Sequence, residues 1–296
     1  MALLHTLTWN WSFEPTVIGG LLVAGGLYAL GVISILRAGL SRQVSWWRVT
    51  AFTGSLVAIL IALESPLDAW SEMYLSFHMV QHEILIYVAA PLFVLGAPLW
   101  PIWHAVPLAY RRNSLRWAMS HPRPRRVLLP AFRLLVSPRL AWILFTGSFI
   151  AWHVPALYDL ALRVQVVHDM EHLCFLVTSI LFWLQVIPSQ PLRPKLSYIA
   201  QALYTFSAGM TTMAVAMLLI FESTPLYGYY ATVSRPPGAI SVMVDQSAAG
   251  AIMNLSGALI YGILFMVLIG LWLGKDAEDD DDMPAVTRLP HWRAFV

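Results

Sequence analysis

Five of the nine histidines in this chain fall in a pattern that can do chemistry. His78 and His82 are four residues apart, and His168 and His172 repeat the interval. On a helix such a pair shares one face, with Cβ atoms roughly 6 Å apart, so both imidazoles can chelate one ion. His153 is the fifth. The two pairs and His153 offer nitrogen donors on three helices, and helix bundles build metal sites from side chains that face one another in this way. One such histidine is most simply read as bonded to backbone or water. Two matched pairs are better explained by a metal site, because burying polar groups without partners is costly.

Acids accompany the histidines. Glu83 follows His82, Asp169 and Glu171 lie between the second pair, and Asp68 and Asp245 stand at other helix ends. A carboxylate can accept the second imidazole N–H of a ligand and fix its tautomer, and these five acids are expected in that supporting role. Glu72, Asp159 and Glu222 read as solvated acids. Thioethers favour Cu(I), and Met79 and Met170 lie inside the two histidine pairs. Met210, Met213 and Met217 form a stripe better explained by packing. The one cysteine, Cys174, excludes an internal disulfide and a thiol-pair metal shuttle, and sits roughly 200° around the helix from His172. His168-x-x-Glu171-His172 also matches the inverted zincin pattern, which leaves a zinc-dependent membrane hydrolase, with Glu171 as base, as the alternative. A haem carrier is disfavoured, since an i, i+4 pair cannot take opposite faces of one haem.

The elements that must position these residues are membrane helices. The chain is 58% hydrophobic and 11% charged, far from the quarter charged of a soluble domain. Seven continuous apolar runs, near 16–36, 49–65, 74–97, 138–157, 167–187, 197–221 and 246–273, are long enough to span a bilayer. They do not alternate, which excludes a β-barrel. The fold class is therefore all-α, a polytopic bundle of seven transmembrane helices. Of eighteen Lys and Arg, all but Arg163 and Arg235 fall on one side of this arrangement, placing the N-terminus outside and the C-terminus in the cytoplasm. The five histidines then share one depth on the outer side. His5, His104, His121 and His291 fall in termini or cytoplasmic segments. No basic stretch precedes the first span, so no cleaved signal peptide is expected.

One membrane domain, 1–275, is expected, with an acidic, disordered cytoplasmic tail at 276–296. The basic loop 104–137 sets aromatic and aliphatic residues among arginines, as in a helix lying on an anionic leaflet. Nucleic-acid binding is not expected of it, because orientation alone requires positive loops there. The glycines of the first and last spans suit close helix packing more than transport.

Ser65-Pro66-Leu67-Asp68, His78-Met79-x-x-His82, Ala90-Pro91-Leu92 and Gly96-x-Pro98 resemble the CtaG-type cytochrome c oxidase assembly factors. Trp152-His153-x-Pro155-x-x-Tyr158-Asp159, His168-x-x-Glu171-His172, Phe182-Trp183 and Asp245-Gln246 continue the likeness, over roughly residues 50–270. The resemblance implies a seven-helix, non-enzymatic protein of the bacterial inner membrane, linked to copper delivery during maturation of a haem–copper oxidase. It implies copper as the ion, with zinc the other choice, and an oxidase subunit or a copper chaperone as partner. It leaves room for a homodimer. His78, His82, His153, His168 and His172 are the positions that match the family's histidine pattern.

Overall fold

The computed structural model describes residues 11–120 and 122–281. His5, His121, His291 and the tail beyond 281 lie outside the described residues. The first span, α1, is Pro15–Arg37, and a short 3-10 turn, Ser41–Gln43, leads to the second, α2, Trp46–Glu64. A six-residue helix α3, Pro66–Ser71, starts at Ser65, whose Oγ accepts from the Leu67 N–H. The third span joins α4, Leu75–Ile84, to α5, Ala90–Leu95, through a π turn over Leu85–Ala89. Pro91 explains that turn. It has no N–H to donate, and its ring would press on the carbonyl four residues back. Within the turn, the Ile86 and Ala89 carbonyls accept from Trp183 Nε1 and Ser55 Oγ, both at 2.8 Å. Backbone groups inside a bilayer need such partners.

The basic segment folds as α6, Leu99–Ala105, α7, Leu108–Ser120, and α8, Pro122–Leu135. Next come α9, Pro138–Trp152, α10, Pro155–Arg163, and the fifth expected span, α11, Gln165–Trp183. The remainder is α12, Tyr198–Phe221, a short α13, Gly228–Thr232, and α14, Val242–Asp281. Among the described residues the chain is all-helical, with no strand beyond an isolated bridge between Ser189 and Leu192.

Among the described residues, six helices are long and apolar enough to cross a membrane, and the number rises to seven if α8 and α9 count as one bent span. The departure from seven plain spans lies in the fourth, expected over 138–157. There α9 has only 15 residues and is bent by 56° from α8. Its ends are set locally. Ser137 Oγ accepts from the Leu140 N–H ahead of Pro138, and Val154 turns extended before Pro155, as a residue preceding proline does. The helix α14 continues to Asp281, past the expected domain end at 275.

The third span is the hub: 61% of its apolar window is buried, against 39% or less for the other five single-helix spans. The pair α12 and α14 packs tightly alongside it. A Cβ on Gly250 would lie 2.7 Å from the Ala216 carbonyl oxygen, so only glycine allows that approach.

Candidate metal site

The clamp that sets the register of α4 comes from 170 residues away. Asp245, at the start of α14, accepts from the Leu75 N–H (2.8 Å), the Ser76 N–H (3.1 Å) and Ser76 Oγ (2.6 Å). It thereby serves the orphan N–H groups at the start of α4, as an N-cap does. Arg235 Nη2 donates to it at 2.9 Å and lies over the Tyr74 ring. Asp245 was expected to support an imidazole. Its oxygens go instead to a helix end and a guanidinium, because the start of α14 packs against the start of α4.

One turn further, His78 and His82 project toward α11. Ring centroids lie 4.4 Å apart for His78–His82, 5.1 Å for His78–His168, 5.3 Å for His82–His172 and 4.3 Å for His168–His172. Four of the five predicted histidines thus form one cluster. His78, His82 and His172 are buried, and His168 is half-buried. Glu171 was expected outside the ligand set. It sits inside the cluster, fully buried, 3.8 Å from both His78 Nε2 and His82 Nε2.

Two groups of donor atoms lie within 4.8 Å of one another: His78, His82 and His172, and His78, His168 and Glu171. Imidazole nitrogens bind zinc at about 2.1 Å, so small side-chain rotations would bring either group onto one ion. The bonding of these atoms is telling. His78 Nε2, both nitrogens of His82, the Nε2 atoms of His168 and His172, and both Glu171 oxygens are buried without a hydrogen-bond partner. Buried polar atoms are normally paired, so this many together need an explanation.

Two of the imidazoles have fixed tautomers. Tyr230 Oη donates to the Ser71 carbonyl at 2.8 Å, so it must accept from His78 Nδ1, 3.1 Å away. His153 Nδ1 faces the Phe149 carbonyl at 2.7 Å, which can only accept. Each therefore has the proton on Nδ1 and a free lone pair on Nε2. His153, at the end of α9, joins neither donor group. It stacks on Phe149 with its Nε2 buried and unpartnered. Tyr158 and Tyr227, stacked at 3.9 Å, close the wall beside His78.

The remaining predicted residues divide. Asp68 accepts from Gln81 Nε2 at 3.0 Å and faces His168 and Asp169. Burial raises its carboxyl above the ordinary aspartate range, while Gln81 and His168 pull it back. Asp169 pairs with Gln165 on its own helix, at 2.9 Å. Glu83 leaves the cluster altogether: it points to α14 and accepts from Ser256 Oγ. Met79 packs in the main core, and Met170, expected beside the second pair as a supporting thioether, is 54% exposed. Met210 and Met213 are exposed on α12. Asp159, read as solvated, accepts from the Tyr229 N–H at 3.1 Å. Sequence reasoning passed over Tyr230, Gln81 and Arg235. Gln81 had a signal, lying between the first two histidines, and so did Arg235, as one of two basic residues set apart from the rest.

Fold and site together define a polytopic helical membrane protein with a buried cluster of imidazoles and one carboxylate between its third and fifth expected spans. The model of the cytochrome c oxidase caa3 assembly factor family (Caa3_CtaG) matches residues 26–275. The chain belongs to that family. Comparison with curated proteins and with solved structures gives no match.

Proposed function

We propose that this protein is a metal-staging factor that holds copper, as cargo, for a haem–copper cytochrome c oxidase during its assembly. The observation that carries the reading is the convergence of buried, unpartnered imidazole nitrogens and Glu171 oxygens on one pocket. Family membership supplies the oxidase. The donor chemistry fits the ion: imidazole suits copper and zinc alike, and divalent copper outranks zinc at a given nitrogen and oxygen site. His78, His82, His168, His172 and Glu171 would hold the ion, with Tyr230 keeping His78 Nε2 free for it. The arginine distribution supports an inner-membrane protein of seven spans with its C-terminus in the cytoplasm, and the site then faces outward. An outward site suits hand-over to an oxidase subunit or receipt from a copper chaperone. Glu171 is enclosed between two imidazoles, so the hydrolase alternative gains nothing from the geometry.

Metal analysis of full-length protein purified from copper-supplied cells tests this. The reading expects stoichiometric copper in the wild type and its loss in His82→Ala/His172→Ala. Stoichiometric zinc without copper would remove copper from the reading, and a metal-free wild type would sink it.

A further inference from the structure

A cavity of about 360 Å³ lies between α1, α2 and α11. Its wall is aliphatic along most of its length, with Leu21, Ile59 and Leu176 among the lining residues. One end is polar: Glu14, Asp68, Gln165, His168, Asp169 and His172 line it, and Asp68 and Asp169 face His168. His172 is 6% exposed, and its Nε2 has no hydrogen-bond partner. His78 and His82, at 0% and 2%, do not line the cavity. The cluster thus has an accessible side, at His168, and a closed side, at His82.

Each donor group has one member on the cavity wall, the half-buried His168 in one and the buried His172 in the other, and they differ in how far that member is exposed. The group of His78, His168 and Glu171 includes the half-buried histidine at the cavity. The group of His78, His82 and His172 contains only buried ones. His78 belongs to both, and Glu171 stands 3.8 Å from His78 and from His82. Three carboxylates over the polar end attract a cation.

We infer that the ion reaches and leaves the site through this polar mouth, in two positions: it is met first by His78, His168 and Glu171, then moves inward to His78, His82 and His172. In that move the bond to His78 is kept, the bonds to His168 and Glu171 break, and bonds to His82 and His172 form. The oxidation state does not change, and each new bond uses an imidazole lone pair. His78 is the pivot, which is why holding its tautomer through Tyr230 matters. This rests on the metal-staging reading above and adds the route and the order.

Stopped-flow uptake of Cu(II) by the full-length protein in lipid nanodiscs, with a chromophoric chelator as donor and then as competitor, tests the order. Asp68→Asn/Asp169→Asn should slow association about tenfold and flatten its dependence on ionic strength, with one ion still bound. Asp169→Lys, at a half-buried position, should slow it further and serves if the double variant folds poorly. His168→Ala should lower the association rate, whereas His82→Ala should leave that rate near wild type and raise the dissociation rate. Wild-type association in the aspartate variants, or the reverse pattern in the two histidine variants, overturns the inference while the bound copper keeps the staging role intact. A wild type that takes up no copper overturns both.

Discussion

Two buried polar clusters sit within a turn of each other at the start of α4, and they are bonded in opposite ways. Around Asp245 every carboxylate oxygen has partners: two backbone N–H groups, a hydroxyl and a guanidinium. Around His78 and His82 the donor atoms converge and none of the inward-facing ones is satisfied. Both clusters are costly to bury, and only the first recovers that cost within the fold. The contrast marks the Asp245 cluster as the one whose bonds hold the helix, and the histidine cluster as the one whose donor atoms stay open.

The sharpest way to break the comparison is to remove the clamp. Asp245→Ala would strand Arg235, 9% exposed in its side chain, and free the start of α4. Thermal unfolding in detergent should show a loss of about 3–5 kcal/mol. A loss below about 1 kcal/mol would mean that the satisfied cluster is not structural. Next, His82→Ala/His172→Ala should leave the metal-free protein within about 1 kcal/mol of wild type, since the packing lost with the two rings is offset by removing buried nitrogens that have no hydrogen-bond partner. Copper at a hundred times its Kd should stabilise the wild type by about 2.7 kcal/mol and this variant not at all. A metal-free variant that unfolds like Asp245→Ala would erase the distinction.

A smaller effect is expected where the clusters' supports differ. Tyr230→Phe removes the acceptor that holds His78 Nδ1, and should weaken copper binding about 10-fold with unchanged stoichiometry, read by chelator competition. Binding equal to wild type would show that Ser71, Tyr230 and His78 do not act as a chain. The smallest is Met170→Leu, at an exposed position, which should change unfolding by less than about 0.5 kcal/mol and leave copper affinity unaltered. Weaker Cu(I) binding there would return a thioether to the site.

What could be read from the chain was what is local. Hydropathy placed the long spans within a few residues, and at the fourth, expected over 138–157, it ran on through the break at His153–Val154 that the proline at 155 sets. The i, i+4 histidine pairs were legible because helical periodicity carries both members to one face. Glu171 could be placed on that face but not inside the cluster, since its depth depends on α4 packing against α11. The Asp245 clamp was illegible for a plainer reason. Its partners lie 170 residues away, and nothing local to Asp245 names Leu75. Tyr230 is likewise a tertiary partner, 152 residues from His78.

The π turn in the third span has a consequence for how that span is read as a pattern. It fits one extra residue into a turn, so the helix after it is out of phase with the helix before it by about 100°. Leu75–Leu95 is therefore two helical frames written in one apolar run. The first frame aims His78 and His82 at α11. The second is free to aim Val94 into the core and to bring Gly96 against the backbone of Phe52 on α2, where its carbonyl accepts from Tyr28 Oη. A single uninterrupted frame would have to trade one set of contacts for the other. Pro91, by forcing the phase slip, lets a histidine-bearing surface and a packing surface share one apolar run.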